Sequence, residues 1–202
     1  PTGSAQFLVG AGLTRDDAST YPNNPEQCMP TTLTAAFPHH LAREVQDLAR
    51  HLDLPNGDQG IAVTLDGEPL TLPYRLHLPA ADTARSLIHA CLLTRHPDGH
   101  VRERYLQQII RAPEAWVIPF VFQLTGEYVI ELLALCEANL PTLDASAYGR
   151  FFNDNPAYFS LTRARMVSYW DCYHRSRHPH LRSYVGTRLF RAFSDFTTTT
   201  SR

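Results

Sequence analysis

Four side chains, His40, Glu44, Asp47 and His51, are spaced four, three and four apart, so on a helix they share one face, and each is a type that can ligate a transition metal. A single helix cannot close a coordination sphere, and the chain carries neither a His-Glu-x-x-His sequence nor a pair of Glu-x-x-His helices. The face therefore reads as the solvated side of a rod whose other side is Phe37, Leu41, Val45, Leu48 and Leu52. A second set, Cys172, His174, His178 and His180, would reach zinc only if the chain folded back at Pro179, and its spacings of two, four and two lack the paired turns of structural zinc sites. No metal site is expected from either.

Other chemistry is equally short of a motif. There is no Gly-x-Ser-x-Gly elbow and no glycine-rich phosphate loop. All 18 basic residues are arginine, which excludes a Schiff-base or Walker lysine. The glycines in Phe7–Leu13 lack the third glycine and the immediate helix of a dinucleotide turn. No catalytic residue is assigned and no cofactor is expected.

The arginines are unevenly placed. Residues 161–202 carry 8 Arg against 2 Asp, a local charge of +6, whereas residues 1–160 carry 10 Arg against 18 acidic residues, or −8; together they give the net −2 of the chain. Arg163, Arg165, Arg175, Arg177 and Arg182, with His174 and His178, form the candidate interaction surface near the last two helices. Its guanidinium forks suit partner carboxylates, and nearby tyrosines supply contact area. The expected function is a non-catalytic protein-interaction or regulatory module whose partner is a protein with an acidic surface. Two alternatives stay open: nucleic-acid binding, with phosphates on the arginines and bases stacked on Tyr169, Tyr173 and Tyr184, and a metal-dependent hydrolase assembled through space. The sequence also leaves open whether the basic end is exposed or folded onto the acidic body.

Val117–Cys136 is the most apolar stretch. Gln123, Glu127 and Glu131 in its middle argue against a membrane span, since each charge adds about 2.5–3.5 kcal/mol to insertion. It reads instead as the central helix of a bundle, bent or divided near Pro119, with the three polar residues as one stripe. Buried carboxylates need partners, and Arg104 and Arg111, seven apart on the preceding helix, are expected to form an ion-pair seam with Glu127 and Glu131; Arg163 and Arg165 are further candidates.

These residues must be positioned by helices over about 38–53, 82–95, 100–111, 156–175 and 180–196, with a hairpin around Asp66-Gly67 between 61 and 78. Pro69 and Pro73 place its second strand at an edge. The stretch after Pro141 reads as a polar and aromatic connection ending at Asn155-Pro156, an N-cap and first-turn proline. Cys28, Cys91, Cys136 and Cys172 form no CxxC pair, and no basic start with an apolar export segment is visible. The chain thus reads as cytoplasmic with reduced cysteines.

In Asp98–Ile109 a turn aspartate, the pair Val101-Arg102 and apolar residues at helical spacing follow in order. This resembles the second helix of a HEAT-type repeat. The likeness covers about one unit, roughly 82–111, and the later helices do not repeat it at a constant period. It implies stacked antiparallel helices and an interaction surface. The expected fold is mainly α: a compact antiparallel bundle or a short irregular HEAT-like stack with one small β-hairpin, in a single domain over 37–202 behind an irregular arm over 1–36.

Overall fold

The computed structural model of the chain describes residues 33–52, 60–79 and 82–200, with Thr199 and Thr200 as backbone only. The expected arm falls mostly outside the described residues, as do Phe7–Leu13 and Cys28. Its end does not: Leu33–Ala36 forms a 3-10 turn that buries Leu33 and Ala36 in the core. After a further short turn at His39–Leu41 comes α1 (Ala42–Leu52). Val45 is buried and Leu41 and Leu48 pack on the core, while His40, Glu44, Asp47 and His51 all face outward.

The hairpin follows, with β1 (Gly60–Leu65) antiparallel to β2 (Glu68–Pro73). Asp66 and Gly67 both have positive φ, 49° and 83°, as a two-residue hairpin turn demands. Leu65 and Glu68 close the turn, so ladder hydrogen bonds fall on alternate pairs from there. Pro69, opposite Thr64, and Pro73, opposite Gly60, occupy the pairs between, where no ladder donor is needed. The second strand stops at Pro73, short of the expected 78. One face, Ile61, Val63, Leu65, Leu70 and Leu72, is buried, and the sheet leans on helices as an isolated hairpin must.

Helix α2 (Leu87–Leu93) is shorter than the expected 82–95, because Ser86 caps it, its hydroxyl accepting from His89 N. Asp98 caps α3 (Gly99–Ile109), and the two helices pack together as the HEAT resemblance implies. The later helices are α4 (Ile118–Leu124), α5 (Ile130–Asn139), α6 (Ala145–Asp154), α7 (Pro156–Tyr169) and α8 (Val185–Thr200), of 7, 10, 10, 14 and 16 residues.

Two expectations are corrected. The central apolar stretch is two helices, and the division falls at Thr125–Val129; Pro119 sits in the first turn of α4, where a proline is tolerated. Gly126 in this break lies so close to α7 that a Cβ there would come within 2.8 Å of the Thr162 methyl. The supposed connection after Pro141 is largely α6, whose first turn is capped by Asp144 accepting from Ser146 N and Ala147 N, both at 3.0 Å. Helix α6 carries Tyr148, Phe151 and Phe152 into an aromatic centre around Phe122, which also receives Tyr158, Phe159, Phe190 and Phe193. Helices α6 and α8 pack extensively, and α8 also covers α5.

The architecture is mainly α with one small β-hairpin. No helix among the described residues is long and apolar enough to cross a membrane.

Candidate functional site

Arg102, on α3, is fully buried, and the geometry of the α2–α3 connection explains why it can be. Its Nη1 donates to the carbonyls of His96 and Pro97 at 2.8 and 2.6 Å, closing the loop that precedes its own helix. Its Nε lies 2.8 Å from Glu127 Oε2, a charge contact whose N–H is not aligned as a hydrogen bond. Glu127, 2% exposed, stands in the α4–α5 break, and its Oε1 accepts from Arg75 Nη1 at 2.9 Å. Gln123, buried at the end of α4, donates to Pro73 O at 3.2 Å. A polar knot thus ties the end of β2, the α2–α3 loop and the α4–α5 break together.

The expected seam is corrected in its partners. Glu127 pairs with Arg75 and Arg102, not with Arg104 or Arg111. Arg104 is exposed, 3.9 Å from Asp82, and Arg111 donates to Asn139 Oδ1 at 2.8 Å. Glu131 is exposed. Because the helix breaks before Glu127, the four-residue spacing from Gln123 to Glu131 does not set one stripe.

The residue after Glu127 turns outward. Tyr128 is 45% exposed and its ring meets Tyr169 and Tyr173 at centroid distances of 5.9 and 5.8 Å; the latter two are 6.1 Å apart. Tyr173 is 47% exposed, although its spacing from Met166 and Trp170 on a regular helix would turn it inward with them. The cause is a change of pitch at the end of α7, where Trp170–His174 forms a π turn. Wider turns of this kind redirect side chains and recur at functional sites. Trp170 stays buried, its Nε1 donating to His178 O at 2.8 Å. His174 Nε2 lies 2.7 Å from Tyr128 O, and its ring stacks on Tyr184 at 5.6 Å. Tyr184 is itself buried, and desolvation, helped by Glu131, pushes its phenol up to about 12.

The seven surface candidates are not gathered evenly. Arg175 is exposed, donates to Asp171 Oδ1 at 2.9 Å, and its guanidinium lies 5.8 Å from the Trp170 ring centre. Arg177, Arg182 and His178 are exposed, and neither Arg177 nor Arg182 has an ion-pair partner among the described residues. Arg163 lies elsewhere, lining a cleft of about 250 Å³ between α7 and α8 with Arg191. Arg165 is half-buried beside Tyr158. Arg188 reaches back to the acidic body, clasping both Glu137 oxygens at 2.6 and 2.7 Å.

Cys172 faces solvent, whereas Cys91 and Cys136 are buried and free. No group of three or more His, Cys, Asp or Glu able to hold a metal occurs among the described residues.

Sequence reasoning missed Arg75, Arg102 and Tyr128. Arg102 was visible as the arginine after Val101 in the HEAT-like segment, and the break was signalled by Thr125-Gly126.

No protein-family model matches the chain, and neither a curated protein nor a solved structure matches it.

Proposed function

We propose that the protein is a non-catalytic interaction module that grips an acidic segment of a partner protein with the tyrosines of the α4–α5 break and the π turn, flanked by Arg175, Arg177 and Arg182. One observation carries this reading: Tyr128, Tyr169 and Tyr173 form a continuous ring-to-ring patch at the surface instead of entering the aromatic core a few residues away. Tyrosine and arginine dominate the energetic centres of protein interfaces, because they combine large contact area with directed hydrogen bonds. The local charge favours carboxylates, and Arg177 and Arg182 have no ion-pair partner among the described residues to give up.

The test is a binding screen against a displayed peptide library containing acidic, neutral and basic members, with single-stranded and duplex nucleic acid as separate arms at two salt concentrations. Acidic peptides should be enriched, and both Tyr128→Ala and the triple reversal Arg175→Glu, Arg177→Glu, Arg182→Glu should weaken capture at least tenfold. Enrichment that survives both variants would remove this surface from consideration. Binding to nucleic acid alone, falling steeply with salt, would move the function to the nucleic-acid alternative.

A further inference from the structure

Asn155 shows what the outer edge of β1 recognises. Its side-chain carboxamide lies against Thr64 as a peptide group would: Oδ1 accepts from Thr64 N at 2.7 Å, and Nδ2 donates to Thr64 O at 2.6 Å. A strand repeats every two residues, so Ala62, opposite Thr71 in the ladder, turns its N–H and C=O to the same side as Thr64. Neither group has a hydrogen-bond partner among the described residues.

A cleft of about 190 Å³ lies on that side, between β1 and the start of α7. Ala62 and Asn155 line it, Pro156, Ala157 and Leu161 give it an apolar wall, and the exposed Asp154 adds a carboxylate. A cavity of about 150 Å³ holds one benzene ring, whereas drug-sized ligands need roughly 300 Å³ or more. The cleft therefore has room for one six-membered ring with a small polar substituent. It is too small for an extended peptide.

We infer that this cleft binds a small primary carboxamide carried on a ring, which repeats at Ala62 the contact that Asn155 makes at Thr64. The ligand carbonyl accepts from Ala62 N–H, and one of its amide hydrogens goes to Ala62 O. The second amide hydrogen is directed to the Asp154 carboxylate, while the ring lies against Pro156 and Leu161. Asp154 also repels an acid of the same shape, so amide and acid are separated by charge as well as by donor count. The cleft is at the first turn of α7 and the tyrosine patch is at its last, so the two sites do not depend on each other.

Benzamide is the probe, with benzoate and acetophenone as matched rings that lack the amide donors, each titrated into the isotope-labelled full chain. Benzamide should shift the Ala62 and Ala157 amide resonances saturably. Neither control should saturate at ten times the half-saturating benzamide concentration. Ala62→Pro deletes the donor yet keeps the ladder, since Pro69 and Pro73 already occupy positions of the same kind, and should weaken benzamide binding at least tenfold. Ala62→Ser retains both backbone groups and should bind like the unaltered protein. Should Ala62→Pro fail to fold, Ala157→Trp fills the cleft from the exposed side of α7 and should weaken binding equally. Asp154→Asn should narrow the preference for benzamide over benzoate several-fold. Absence of a saturable shift at Ala62, benzoate or acetophenone binding as well as benzamide, or unchanged affinity in Ala62→Pro or Ala157→Trp would overturn the inference.

Discussion

Glu127 and Tyr128 are adjacent in the chain and opposed in space: the carboxylate is held inside by Arg75 and Arg102, and the next ring stands at the surface against Tyr169 and Tyr173. The interior ion pairs therefore fix the backbone that presents the outer patch. Glu127→Gln should cost about 3 kcal/mol or more, because it leaves Arg102 buried without its counter-charge. Urea unfolding measures the loss, and faster amide exchange over 125–129 would show that the patch loosens with it.

Asn155 does the work of a short strand. Its Oδ1 accepts from Thr64 N at 2.7 Å, and its Nδ2 donates to Thr64 O at 2.6 Å and to Phe151 O at 2.7 Å. Asn155→Ala should destabilise by about 2–3 kcal/mol, at roughly 1 kcal/mol per hydrogen bond. Asn155→Asp should also destabilise, since a carboxylate cannot donate to the two carbonyls. The Thr64 amide should exchange faster in Asn155→Ala.

His89 is buried on α2, and its Nδ1 accepts from Arg85 N at 3.2 Å, a bond only the form with unprotonated Nδ1 can make. Desolvation, then the charge of Arg85, lowers its pKa below the ordinary 6.5. The unfolded chain therefore takes up the proton first as pH falls, so the stabilisation is present above pH 6.5 and is lost progressively below it. Urea midpoints at pH 7.5 and 5.5 should differ less in His89→Gln than in the unaltered protein.

The cysteines should divide by reactivity. Burial raises the thiol of Cys136 to about 12 and that of Cys91 well above its ordinary range, while Cys172 lies in the open π turn. Native alkylation followed by peptide mapping should label Cys172 and spare Cys91 and Cys136 until the chain is unfolded. Labelling of Cys136 at the rate of Cys172 would contradict the packing of α5.

The elements most legible in the sequence were those whose signals are local. Asp66-Gly67 between alternating residues gave the hairpin, and the Phe37–Leu52 spacing gave α1. Helix α6 was hidden because its aromatic residues sit among glycine, asparagine and aspartate, whose weak helix propensity is overridden by contacts with α8. The central stretch misled for a related reason: Thr125-Gly126 breaks it so that α7 can approach, a demand made by a helix some forty residues away. Glu127 stood out as a carboxylate in apolar surroundings, but its partners come from loops and from α3 in ways that spacing on one helix cannot encode. Tyr173 faces outward because the π turn shifts its phase relative to an ordinary helix.

The hairpin leaves few free edges for strand recruitment. Along β2, Pro69 and Pro73 offer no N–H at two of the three outward-facing positions, and along β1 the amide and carbonyl of Thr64 are already occupied by Asn155. A visiting extended peptide would find a poor template there, and so would a second copy of the chain. This discourages fibre-like stacking and directs encounters with other molecules toward the helical side.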